Sequence, residues 1–146
     1  MSSIILKGNS SGAGSSTLQS ANTGSSVTQT LPSVTATTLG YINAPLDSKT
    51  DSYTLVDGDQ GKVIYLASGS SKTFTIPANG SVAFEIGTVI TFINVSASAL
   101  TIAITTDTLY QAGTGSTGSR TLAQYGIATA VKMTSTTWLI SGNGLT

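Results

Sequence analysis

Four aspartates, Asp47, Asp51, Asp57 and Asp59, fall within 13 residues and form the only cluster of ionisable side chains in a 146-residue sequence without histidine or cysteine. Carboxylates this close together suit calcium, which takes about six to eight oxygen ligands. Asp57-Gly58-Asp59 has the opening steps of a calcium loop. The next residues, Gln60, Gly61, Lys62 and Val63, do not lead on to the distal glutamate that such a loop needs. Asp and Gly are also the residues of a tight turn between strands. A turn is therefore the expected role, and neither a metal nor any other cofactor is expected.

The remaining acids, Glu85 and Asp107, each stand alone among apolar and small residues. Glycoside hydrolysis needs two carboxyl groups flanking one bond, and this spacing suggests no such partnership. The serines have no activating base: histidine, the commonest one, is missing, and Ser70-Ser71-Lys72 is not a Ser-x-x-Lys pattern. Gly113-Thr114-Gly115-Ser116-Thr117-Gly118 matches G-x-G-x-x-G literally, but no strand-to-helix context accompanies it, so it reads as a loop. Trp138, Tyr110 and Tyr125 are the aromatic residues placed to stack on a sugar, although a lone tryptophan in a terminal strand is more commonly a core residue. No catalytic residue is expected.

The elements that must position these residues read as strands. Tyr53–Val56, Lys62–Leu66, Lys72–Ile76, Thr88–Val95, Leu100–Thr105, Arg120–Ala123, Gly126–Thr134 and Thr137–Ser141 are rich in β-branched and aromatic residues, with turn clusters between them. In Leu100–Thr105, Leu100, Ile102 and Ile104 share one face. No stretch has helical periodicity; Gln60-Gly61 and Ser81–Gly87 have room for a single helical turn each. The expected fold is all-β: a compact antiparallel β-sandwich or barrel head over 39–146, preceded by an extended arm over 1–38.

Charged residues make up 8% of the chain, against roughly 25% in ordinary soluble proteins. Six basic and six acidic residues balance to zero, which leaves no electrostatic footprint for nucleic acid and no polybasic patch for a membrane surface. Such a neutral surface of Ser, Thr, Asn and Gly is poorly protected against association. It suits a protein packed against its own copies or a partner. Ile4-Ile5-Leu6 is too short for a signal peptide, and no apolar run is long enough for a membrane-spanning helix.

The arm is dominated by Ser, Thr and Gly, and Lys7 is its only charge. Its composition is that of a flexible linker. Two details point instead to a segment that orders on a partner: the apolar patch Ile4-Ile5-Leu6, and the strand-like alternation of Val27-Thr28-Gln29-Thr30-Leu31. Such a segment adds to a neighbouring sheet through main-chain bonds.

A longer pattern runs through Gly40-Tyr41-Ile42-Asn43-Ala44-Pro45, Tyr53-Thr54-Leu55-Val56, Gly61-Lys62-Val63-Ile64-Tyr65, Thr75-Ile76-Pro77-Ala78-Asn79, Phe84–Asn94, Gly118-Ser119-Arg120-Thr121-Leu122 and Trp138-Leu139-Ile140-Ser141-Gly142. It resembles a module of tailed-bacteriophage virion proteins, shared by tail fibres and capsid-decoration proteins. The resemblance implies a β-structured, usually trimeric particle component without catalysis. A small head behind a short arm looks like a capsid cement (decoration) protein: a homotrimer on the capsid exterior, bound to the major capsid protein. Ile4, Ile5, Leu6, Leu18 and Leu31 are the expected capsid-binding anchors of the arm. The alternative is the receptor-binding tip of a tail fibre or spike, with loops such as Ala112–Ser119 recognising cell-surface glycans.

Overall fold

The structure, a computed structural model, describes residues 43–146. The arm anchors Ile4, Ile5, Leu6, Leu18 and Leu31 lie outside the described residues.

The described chain is all-β, with nine strands and one short 3-10 turn. The strands are β1 (Leu46–Lys49), β2 (Tyr53–Thr54), β3 (Val63–Leu66), β4 (Lys72–Ile76), β5 (Val89–Asn94), β6 (Leu100–Ile104), β7 (Thr108–Gln111), β8 (Arg120–Thr134) and β9 (Thr137–Leu145). The helical turn sits at Asp57–Asp59, just before the expected Gln60-Gly61.

Odd and even strands separate. The hydrogen-bonded order is β1-β3-β5-β8-β6-β4-β2, and β9 joins β8 and β7 off this path. Each strand from β3 to β6 therefore lies beside the strand two earlier in sequence, running the same way. The β8 strand closes the arrangement by pairing with both sets. Its first residues, Arg120–Leu122, run antiparallel to β6, and Ile127–Val131 run antiparallel to β5. Between these segments the strand bends at Tyr125, which takes a φ of 58°, and the register with β9 shifts between Leu122 and Ile127. The result is a single sheet curled into a nearly closed barrel.

The expected antiparallel pairing needs correction. Five of the eight strand pairs are parallel and three antiparallel. Alternation specifies which face of a strand is buried but not which neighbour it takes. Tight two-residue turns return a chain antiparallel beside itself; here only the β8–β9 connection is that short. The longer connections, 55–62, 67–71, 77–88 and 95–99, carry the chain to the opposite wall before it comes back in parallel.

Inside, the two walls meet on Leu55, Ile64, Leu66, Phe74, Ile76, Ile90, Phe92, Leu100, Ile102, Leu122, Trp138 and Ile140, all essentially inaccessible. Phe84 stands edge-on to Trp138 with ring centroids 5.6 Å apart, and Phe74 meets Phe92 at 6.5 Å. Asn94 is one of the buried polar residues, at the β5–β6 turn. Its amide donates to the carbonyls of Ser98 (2.8 Å) and Leu122 (3.0 Å), and its oxygen accepts from the Ser96 backbone N–H and hydroxyl, so the buried group is satisfied.

Candidate interaction surface

The aspartate cluster is taken up by structure. Asp59 is fully buried. Its Oδ2 accepts from the Val56 N–H (2.9 Å) and the Tyr53 hydroxyl (3.0 Å), and its Oδ1 from Lys62 Nζ (3.3 Å). Burial, then the hydrogen bond to Asp59 and the charge of that carboxylate, push the Tyr53 hydroxyl up to about 12. Asp57 accepts from the Gln60 amide at 3.0 Å, Asp47 pairs with Lys49 at 2.9 Å, and Asp51 pairs with Lys72 at 2.9 Å. The Lys72 ammonium and the Ser52 N–H hold the exposed Asp51 carboxyl below its ordinary value. Each acid thus faces a donor of its own, and the Asp57–Asp59 turn organises the entry to β3.

The Gly113–Gly118 stretch is a loop, as its sequence context indicates. It leads from β7 to β8 and borders a shallow polar recess of about 330 Å³ lined by Asp107, Thr108, Thr117 and Ser119. Tyr125 is 77% exposed at the β8 bend. Trp138 is buried and serves the core.

The feature that composition did not localise is the outer face of the wall formed by β1, β3, β5, β8, β9 and β7. On β3, β5 and β9 the inward residues are core residues named above, and Leu109 of β7 and Ala128 and Ala130 of β8 are buried with them, so their neighbours point out. Register aligns the outward residues in rows. One row runs Val89, Val131, Leu139 and Tyr110 across β5, β8, β9 and β7. The next runs Leu46, Val63, Thr91, Thr129 and Ser141 from β1 to β9. A third runs Ser48, Tyr65, Ile93, Ile127 and Asn143. Thr91 and Thr129 join hydroxyls at 3.0 Å in the middle of the second row. No residue in these rows carries a charge. Leu46 is 70% exposed at one edge of the wall, and Val89, Ile127 and Tyr110 are exposed farther across it.

With strands about 4.8 Å apart, three such rows cover on the order of 400 Å² of uncharged surface, in which apolar residues surround the polar Thr91, Thr129 and Ser141. The outward residues of an isolated solvated sheet are ordinarily polar. In Thr88–Val95 apolar residues fall on both faces, Ile90 and Phe92 inward and Val89 and Ile93 outward, and that pattern is the legible signal in the sequence.

Sequence reasoning also passed over Lys132. It occupies an inward position on β8, after Ala128 and Ala130, and is 1% exposed. Its Nζ donates to Asn79 Oδ1 at 2.5 Å and lies 5.7 Å from the Trp138 ring centre. Among the described residues, no helix is long and apolar enough to cross a membrane. No family model, no curated protein and no solved structure matches the chain.

Proposed function

We propose that this chain is a structural virion protein, a cement (decoration) protein that binds the outer surface of a phage capsid and stabilises contacts between major capsid protein subunits. The observation that carries the reading is the uncharged, largely apolar outer face of the β1-β3-β5-β8-β9-β7 wall. A face without charges has no electrostatic reason to stay in water and buries well against an equally neutral surface. The head trimerises through this face, which leaves the arm of each protomer to run over capsid subunits. Three arms on one trimer multiply the effective affinity of a weakly binding segment. The reading assigns no catalysis, in keeping with a carboxylate cluster whose members serve turns and ion pairs.

Removing residues 1–38 tests the arm. The head alone is expected to lose binding to undecorated capsids while keeping its fold and oligomeric state. Undiminished capsid binding by the truncated protein contradicts the assignment.

One observation favours a second reading, the receptor-binding tip of a fibre or spike. Tyr125 is held in the left-handed region and presented to solvent; a strained, exposed aromatic is a residue that sugar stacking uses. Glycan binding that disappears in Tyr125→Ala supports this alternative.

A further inference from the structure

We propose that Lys132 and Asn79 become joined by an amide bond between their side chains, a covalent tie across the head that forms without an added enzyme. It goes beyond the proposed function and does not depend on it.

Nζ of Lys132 lies 2.5 Å from Oδ1 of Asn79, at the short end of hydrogen-bond contact, where N–H···O pairs ordinarily lie ~2.7–3.2 Å apart. A carbonyl bond is about 1.2 Å long, so the carboxamide carbon is at most about 3.7 Å from Nζ. That is close to the separation of a near-attack pair, roughly 3–3.5 Å. The two residues are 53 apart in sequence; the fold holds them in place, and little motion separates contact from reaction.

The surroundings add a reason for reaction. Lys132 is 1% exposed, and the ion pairs of the described residues engage Lys49, Lys62 and Lys72 rather than Lys132. An ammonium buried without a counter-charge is costly. Conversion to a neutral amide removes that charge from the interior for good. Lysines act as nucleophiles from such desolvated sites, and the Trp138 ring shields this one from the core side. Asp107 Oδ2 accepts the backbone N–H of Asn79 at 3.1 Å. It is a positioning residue that ties the carboxamide-bearing loop to the β6–β7 connection.

The step balances without an oxidant, reductant or co-reactant. Nζ first releases its ammonium proton to water, from which the departing ammonia takes one up at the end; its lone pair then attacks the Asn79 carboxamide carbon and forms the new C–N bond. A proton passes from Nζ to the departing nitrogen, the C–Nδ2 bond breaks, and ammonia leaves. The product links β8 to the loop after β4, across the two walls. It serves as a disulfide would, in a chain with no cysteine.

Intact-mass spectrometry of the purified full chain is the test. The expected mass is about 17 Da, one ammonia, below that of the sequence. The same loss would arise if Asn79 cyclised onto the nitrogen of Gly80, so trypsin digestion decides between them. An acylated Lys132 resists cleavage, and the digest then contains residues 73–120 joined to 121–146. Lys132→Arg and Asn79→Ala should each restore the full mass. Asp107→Ala should lower the linked fraction, and Asp107→Asn, which keeps an acceptor oxygen, should restore it. Full mass in the folded parent chain overturns the proposal, as does a mass loss with normal cleavage after Lys132. A linked fraction unchanged in Asp107→Ala overturns the role given to Asp107.

Discussion

Val89 on β5 and Val131 on β8 stand directly opposite each other in an antiparallel pair, and both point away from the core. Their inward neighbours Ile90 and Ala130 are fully buried and also pair. At this point the pair of strands is apolar on both sides, a pattern proper to a sheet covered twice. The proposed function supplies the second cover as a partner.

Placing a charge at that point should separate assembly from folding. Val131→Lys is expected to leave the circular dichroism spectrum and the monomer fold intact, because the side chain already faces outward. It should convert the trimer to monomer in sedimentation velocity, since a buried unpaired charge is strongly disfavoured at an interface. A trimer that tolerates Val131→Lys places its interface elsewhere.

Asp59 is the structural counterpart within the fold. Asp59→Ala strips acceptors from the Val56 N–H, the Tyr53 hydroxyl and Lys62. The expected loss is about 2–3 kcal/mol, as for a buried group whose partners are left unsatisfied. Urea denaturation measures it. The exposed Asp57, by contrast, should be replaceable by Ala at a cost of about 0.5 kcal/mol or less.

Tyr53 predicts an alkaline dependence. Its folded value is raised to about 12, whereas an unfolded tyrosine titrates near ~10. Between these values the folded state keeps a proton that the unfolded state releases. The contribution is complete below the unfolded value and is lost as pH rises through the folded one. Stability measured from pH 9 to 12 should fall less steeply in Tyr53→Phe than in the parent. Parallel curves would remove this coupling from the account.

Gly142 predicts a steric failure. It lies opposite Ala128 in the β8–β9 pair, and a Cβ there would fall on the Ile127 carbonyl oxygen and on Ala128. Gly142→Ala should cost about 2 kcal/mol or more through forced separation of these strands. A lowered melting temperature followed by Trp138 fluorescence reports it directly, because Trp138 pairs with Lys132 in the same hairpin.

What the sequence disclosed, and what it withheld, follows from the kind of information alternation holds. Leu100, Ile102 and Ile104 announced their common face, and the structure buries the first two fully and the third in part. Trp138 read as core and is core. Two strands went unread. Leu46-Asp47-Ser48-Lys49 has polar residues at its inward positions, where Asp47 and Lys49 bond to each other at the edge of the sheet. Thr108–Gln111 is only four residues long. Arg120–Ala123 and Gly126–Thr134 read as separate strands in the sequence, whereas the chain bends at Tyr125 and continues as one strand. Parallel order depends on where each connection lands, which no local pattern records. The outer apolar face needed register, and Lys132 defeated the pattern altogether, since a lysine among inward alanines reads as a surface residue until its partner Asn79 is seen across the fold.

Copy number in purified particles tests the central claim most directly. Quantitative mass spectrometry against the major capsid protein should find this chain in hundreds of copies per particle, as a cement distributed over the capsid requires. A count of tens or fewer, or its absence from the particle, would contradict the account.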